Sequence, residues 1–185
     1  MTDSPRTGHL DTPPTPPANE PANEPANESV MTEIERLDKG SAIAVIGHPL
    51  HALMVHFPIA FVVATLGADL FFWWSGDPFW ERAGLWSAGL AFLTGVAAAI
   101  IGTAELLLVP GIRARVTSWS HGVAAMTLLA VAGTNWGVRL FETADVLPLG
   151  LSLSVLAAAV TAFACYQGGK LIFDHGVGIV GSEMR

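Results

Sequence analysis

Long runs of apolar residues dominate the chain from residue 52 onwards, and four of them are long enough to cross a bilayer. Their approximate limits are residues 52–74, 84–109, 119–138 and 147–166. A membrane-spanning helix needs about 20 predominantly apolar residues. Between Ala52 and Trp74 the only ionisable residues are His56 and Asp69. The pattern therefore predicts four transmembrane helices.

Short connections with turn-forming residues separate these segments. Ser75-Gly76-Asp77-Pro78 follows the first, Pro110-Gly111 follows the second, and Gly168-Gly169 follows the fourth. Short loops join antiparallel neighbours, so we predict an all-α, integral membrane, up-down four-helix bundle. In the second span the small residues Gly95, Ala98 and Gly102 lie on one side with Glu105, which predicts a face for close helix packing.

The amino-terminal part has a different character. Residues 1–30 are rich in Pro, Ala, Asn and Glu, and the tetrapeptide Pro-Ala-Asn-Glu occurs three times in tandem over residues 17–28. Such a segment buries too little apolar surface to fold, so we expect a disordered tail. Residues 31–46 are interpreted as a short amphipathic lead-in, and residues 47–181 as the membrane domain.

Composition supports the membrane class and excludes several functions. Of 185 residues, 51% are hydrophobic and only 14% are charged. The net charge of −7 comes largely from the tail, and without a basic cluster we expect no nucleic-acid partner. Cys165 is the only cysteine, which excludes an internal disulfide and a cysteine-rich metal site. No hydrolase or phosphate-binding motif is present, so we do not expect a stand-alone enzyme.

Basic residues near the span ends predict the orientation in the bilayer. Six lie on one side, namely Arg36, Lys39, Arg113, Arg115, Lys170 and Arg185. Only Arg82 and Arg139 lie on the other side. Because positive residues accumulate on the cytoplasmic side, both termini are predicted to be cytoplasmic.

Five of the six histidines fall at this predicted cytoplasmic end of the bundle. The candidate metal ligands there are His48, His51, His56, Glu105, His121 and His175. Neutral imidazole binds transition metals and haem iron, so a transition-metal ion or a b-type haem is the candidate cofactor. His56 and His121 are the candidate haem ligands. His56 shares a stripe with Ala52, Ala60 and Ala64, which predicts that it faces the bundle interior.

Two other interpretations of the histidines stay open. They could be structural ties that hydrogen-bond each other or backbone carbonyls, as buried polar groups in membranes require partners. They could also belong to a proton or ion path, although the span interiors offer no charged residue at mid-depth. At the opposite end of the first span, Asp69 could pair with Arg82, pair with Arg139, or reach water.

Two motifs resemble a known family. Gly47-His48-Pro49-Leu50-His51 with Val55-His56-Phe57-Pro58 is similar to the opening signature of the bacterial membrane family DUF2231 (domain of unknown function 2231). Gly168-Gly169-Lys170-Leu171 with His175-Gly176 is similar to its closing signature. The resemblance implies a multi-pass protein of the bacterial inner membrane with no settled activity.

The resemblance also bears on partners. Some members of the family carry a Rieske-type iron–sulfur domain, which this chain lacks, so a redox role would need a cofactor or a separate partner. Besides the lipid bilayer, the candidate partners are therefore a membrane redox protein or further copies of the chain. The alternative function is a non-catalytic membrane subunit or assembly partner in which the histidines are structural ties.

Overall fold

A computed structural model describes residues 44–45, 48–141 and 146–174, with side chains described from Pro49 onwards. The predicted tail over residues 1–30 and most of the predicted lead-in over residues 31–46 lie outside this part. Ala44–Val45 (β1) pairs antiparallel with His48–Pro49 (β2) just before the first helix.

The rest of the described chain is helical. The helices are α1 Leu50–Met54, α2 His56–Ser75, α3 Pro78–Leu108, α4 Pro110–Arg113, α5 Val116–Phe141 and α6 Leu149–Phe173. Taken together, α1 and α2 are long and apolar enough to span a membrane, and so is each of α3, α5 and α6. Helix α2 packs against α3 and α6, and α5 packs against the same two helices. The four long helices therefore enclose one core, and the predicted all-α four-helix architecture is confirmed.

The turn between α2 and α3 forms where the sequence predicts it. Gly76 has a φ angle of 66°, the left-handed conformation that glycine adopts without strain at a helix end. The carboxylate of Asp77 then accepts a hydrogen bond from the backbone N–H of Phe79 at 2.9 Å and caps α3. Pro78 occupies the first turn of α3, where its missing N–H leaves no bond unmade.

The first span is interrupted near its start. Val55 separates α1 from α2, three residues before Pro58. Proline cannot donate to the carbonyl four residues earlier, so it weakens the helix at this point. His51 lies on α1, the short helix before this interruption.

Small residues fill the core, whereas large apolar residues cover the outside. Val62, Ala91 and Ala157 form the centre of the core, and Gly95, Ala98 and Glu105 are buried on α3 as the sequence predicts. Trp74 is 79% exposed and Phe141 is 88% exposed. Small residues let helix backbones approach closely, and the bulky residues face lipid.

Helix α6 is longer than its apolar segment. The sequence predicts an end near Tyr166, before Gly168-Gly169, but the helix continues through both glycines to Phe173. The two glycines are part of a packed helix, and the contact that requires Gly168 belongs to the site described next.

Candidate functional site

Two histidines from different helices meet at one end of the bundle. His51 lies on α1 and His121 lies in the second turn of α5. Their ring centroids are 6.2 Å apart, and the rings are nearly perpendicular, with an interplanar angle of 80°. Both residues are partly buried. We call them the histidine pair.

Each ring of the histidine pair lies within hydrogen-bond distance of a backbone carbonyl on a neighbouring helix. Nδ1 of His51 lies 3.0 Å from the carbonyl oxygen of Ala98 on α3, and Nδ1 of His121 lies 3.0 Å from that of Ala164 on α6. A carbonyl oxygen can only accept, so Nδ1 must carry the proton in both rings. In the neutral imidazoles, Nε2 therefore carries the lone pair.

Two glycines make room for these rings. A β-carbon on Gly102 would lie 2.5 Å from Cε1 of His51, far inside van der Waals contact. A β-carbon on Gly168 would lie 3.2 Å from Cε1 of His121. Gly168 of the closing signature thus makes room for the ring of His121, which hydropathy alone could not reveal.

Two further polar residues lie near this level of the bundle. Glu105 is buried on α3, one turn beyond Gly102, and Ser118 is buried on α5, one turn before His121. The hydroxyl of Ser118 has no hydrogen-bond partner among the described residues. Among the predicted metal ligands, the structure therefore brings His51 and His121 together. Glu105 is buried on α3, the helix whose Ala98 carbonyl lies against His51.

The prediction that His56 faces the interior is wrong. Its side chain is exposed, and Nδ1 lies 3.3 Å from the carbonyl of Leu53 in the same span. The buried side of α2 instead contains Pro58, Val62, Thr65 and Asp69.

The rotation of α2 explains this difference. Asp69 is completely buried, and at 3.6 residues per turn His56 lies roughly 140° around the helix from it. Burial of the carboxylate therefore turns His56 outwards. The stripe of small residues marks an outer face of α2 in this chain, since Ala60 and Ala64 are exposed as well.

The other predicted ligands lie outside the described side chains. His175 follows the described residues, and only the backbone of His48 is described. Among the side chains that are described, no group of three or more His, Cys, Asp or Glu residues is placed to hold a metal ion.

A buried ion pair occupies the opposite end of the bundle. Nη2 of Arg139 on α5 lies 2.7 Å from Oδ2 of Asp69 on α2, and their side chains are 2% and 0% exposed. Of the three surroundings that the sequence leaves open for Asp69, the structure selects the pairing with Arg139.

Two neutral side chains complete this network. The hydroxyl of Ser154 on α6 donates to Oδ2 of Asp69 at 2.6 Å. The amide of Asn135 donates to the Ser154 oxygen at 2.9 Å, and its carbonyl oxygen accepts from Nε of Arg139 at 2.9 Å. We call these four residues the Asp69 network. It ties α2, α5 and α6 together by side-chain hydrogen bonds inside the core.

Glycine also makes room at this end. A β-carbon on Gly84 of α3 would lie 2.7 Å from Nη1 of Arg139 and 3.1 Å from Oδ1 of Asp69. Neither of these two atoms has a partner among the described residues. Beside the network, a cavity of about 10 Å³ is lined in part by Thr65, Asn135 and Ser154. That volume corresponds to about one water molecule.

Two polar residues inside the apolar spans indicate this network in the sequence. Asn135 and Ser154 are polar residues inside apolar spans, and such residues need partners within the bundle. Their positions identify the faces of α5 and α6 that turn inwards.

These features define an integral membrane protein, a four-helix bundle with a small-residue core, a lipid-facing apolar surface and one polar centre at each end. The chain belongs to the family described as predicted membrane protein (DUF2231), whose model matches residues 47–181. The resemblance seen in the opening and closing motifs is thereby confirmed. No curated protein and no solved structure matches the chain.

Proposed function

We propose that the histidine pair binds a transition-metal ion inside the membrane domain. The observation that carries this proposal is the hydrogen bond from each Nδ1 to a backbone carbonyl, at 3.0 Å for both His51 and His121. Metal-binding histidines commonly donate their second ring N–H to a carbonyl or carboxylate, which fixes the tautomer and aims the other nitrogen at the metal.

The spacing of the two rings agrees with shared coordination. Bonds of about 2.0–2.1 Å from an ion to each imidazole nitrogen place two ligating rings with centroids about 5–6.5 Å apart. The observed centroid separation is 6.2 Å. Shared coordination requires that both Nε2 atoms point at the same ion.

Further ligands complete the proposed site. Structural and catalytic sites for zinc use at least three protein ligands. Glu105 is the candidate from α3, and His48 and His175 are candidates from the segments that flank the described helices. His56 is left out of the proposed set because its ring lies outside the bundle.

The geometry favours an ion over a b-type haem. Each ring lies against a glycine of a neighbouring helix, which leaves no room for a porphyrin on that side of the ring. The larger cavity, of about 640 Å³, is lined by neither His51 nor His121. The redox-related role rests on the family resemblance and would require that the bound metal change its oxidation state.

Substitution of either His51 or His121 should abolish tight metal binding. Loss of a residue that merely orients a ligand lowers affinity by about 10–100-fold, so loss of the ligand itself should cost at least about 100-fold. The full-length protein, purified in mild detergent, is loaded separately with Zn²⁺, Cu²⁺, Ni²⁺ or Co²⁺, desalted, and its bound metal is measured by elemental analysis. His51→Gln and His121→Gln should each release it.

His56→Gln and His9→Gln serve as matched controls, and both should keep the bound metal. For His56 this reverses the expectation from sequence, because its side chain is exposed. Equal metal content in the wild type, His51→Gln and His121→Gln would contradict the proposal. The two histidines would then be structural ties between helices.

The exposed face of α2 supports the alternative, a membrane subunit that assembles with further copies of itself. His56, Ala60 and Ala64 are exposed on one side of this helix. A small-residue face with one polar side chain suits close contact with a second helix.

Cysteine crosslinking tests this assembly. In a Cys165→Ser background, which removes the one native thiol, Ala60→Cys should form a disulfide-linked dimer in oxidised native membranes. Val155→Cys, exposed on α6, is the control and should stay monomeric. If Ala60→Cys also stays monomeric, contact between copies through this face is excluded.

The predicted orientation gains support from the buried ion pair. Arg139 is neutralised inside the bundle by Asp69, so among the described residues only Arg82 remains as an exposed basic residue at that end. Arg113, Arg115 and Lys170 all lie at the histidine end. We therefore infer that the histidine pair lies on the cytoplasmic side of a bacterial inner membrane, with both termini in the cytoplasm.

A further inference from the structure

A long apolar groove runs along the outside of the bundle between α5 and α6. Its volume is about 640 Å³. Its wall consists mainly of apolar residues, among them Trp119 and Val123 on α5 and Ala159 and Phe163 on α6, together with Thr127 on α5. From Trp119 to Thr127 the helix rises by about 12 Å, most of the roughly 15 Å of hydrocarbon in one leaflet.

One end of this groove is basic and aromatic. The indole N–H of Trp119 donates to the backbone carbonyl of Arg113 at 2.8 Å, so the backbone of the exposed Arg113 adjoins the wall. The guanidinium donates to the backbone carbonyl of Leu107 at 3.3 Å, a bond that a phosphate in the groove would replace. On α6, the face that contains Phe163 continues through Gln167 to Lys170 at helical spacing. The Lys170 ammonium lies 5.9 Å from the centre of the Tyr166 ring.

The two walls are joined just inside this end. The side-chain amide of Gln167 donates to the hydroxyl of Ser120, which itself lines the groove. The bond connects α6 to α5 between the cationic end and the apolar body. A molecule in the groove would therefore meet cations, then polar groups, then hydrocarbon.

We propose that this groove is a binding site for one anionic phospholipid, whose acyl chain fills the groove and whose phosphate lies between Arg113 and Lys170. The occupant follows from charge complementarity. Bulk lipid of any kind could cover an apolar face, but two cations at its interfacial end distinguish an anionic headgroup from a zwitterionic one. Basic pockets at the ends of transmembrane helices bind anionic headgroups in the same way.

Native mass spectrometry of the full-length protein in mild detergent tests the proposal, with equimolar phosphatidylglycerol and phosphatidylcholine as probes. We expect one phosphatidylglycerol molecule bound in preference. A basic residue near the membrane surface contributes about fivefold to the binding of anionic lipid. Arg113→Gln and Lys170→Gln should thus each lower the preference about fivefold, and the double variant should nearly abolish it.

Two further variants separate the headgroup from the chain. Arg82→Gln removes an exposed charge at the opposite end and should leave the preference unchanged. Ala159→Trp places a large side chain in the groove and should reduce binding of both lipids, because it blocks the acyl chain. Ala159 is exposed, and SDS titration should show that this variant unfolds like the wild type.

Three results would overturn the proposal. The double variant could keep its preference for phosphatidylglycerol, or Arg82→Gln could lower it equally, as expected for unspecific charge attraction. Alternatively, the wild-type protein could be a dimer that the substitution Ala159→Trp dissociates. The groove would then be the contact with a second copy of the chain.

Discussion

Replacement of Arg139 by alanine is expected to lower the free energy of unfolding by about 3–5 kcal/mol, because it leaves the Asp69 carboxylate buried without a partner. Asp69 is 0% exposed and accepts from both Arg139 and Ser154. Water cannot readily replace the lost guanidinium in this position. The measurement is SDS-induced unfolding of the purified protein in mixed micelles.

Two comparisons isolate the cause. Arg82→Ala removes an exposed arginine from the same end of the bundle and should change stability by less than about 0.5 kcal/mol. The double variant Asp69→Leu/Arg139→Met replaces both charges by apolar groups and should recover most of the loss, as with other buried pairs. If Arg139→Ala unfolds like the wild type, the ion pair contributes nothing to the fold.

The substitution Gly102→Ala should have the second large effect, because it forces the His51 ring out of its place. Its β-carbon would lie 2.5 Å from Cε1 and 2.7 Å from Nδ1 of that ring. Overpacking in a well-packed interior costs about 1–3 kcal/mol. The hydrogen bond from Nδ1 to the Ala98 carbonyl would be lost together with metal binding at the histidine pair. SDS unfolding and elemental analysis measure the two effects.

Gly137→Ala provides the matched control. A β-carbon on Gly137 meets no atom within 4 Å, and alanine is favoured over glycine within a helix by up to about 1 kcal/mol. This variant should be as stable as the wild type or more stable, with its metal retained. If Gly102→Ala behaves in the same way, the His51 ring has room to move and its position is not fixed by the glycine.

Much of the fold could be predicted from local sequence. Apolar runs with turn residues between them identify four spans, and small residues identify the packed face of α3. The turn at Gly76 and Asp77 also follows from the sequence, since glycine, aspartate and proline occur there in the order that a helix end and a helix start require.

The rotation of α2 could not be predicted in the same way. Helical spacing groups His56 with Ala60 and Ala64, and the rule that small residues pack inwards then points to the wrong face. The deciding contact joins Asp69 to Arg139, 70 residues apart in the chain. Only the tertiary arrangement brings them together, and its energy exceeds the weak preference that a stripe of alanines expresses.

The shared end of His51 and His121 could be predicted from the sequence, but the contact between their rings could not. Threading antiparallel spans correctly brings His51 and His121 to one end. It does not show that His51 on the separate helix α1 meets His121 while His56 turns away. That outcome depends on the rotation of α2 and on the room left by Gly102.

Helices α5 and α6 are fastened to each other near both ends. His121 is bonded to the Ala164 carbonyl at one level, and Asn135 is bonded to Ser154 about 15 Å further along α6 and about 21 Å further along α5. Two helices held at two such distant points cannot slide past one another without breaking one of the bonds. Helices α5 and α6 should therefore move together as one rigid unit. Any motion that separates His51 from His121 must then displace α1 relative to α5 and α6 together.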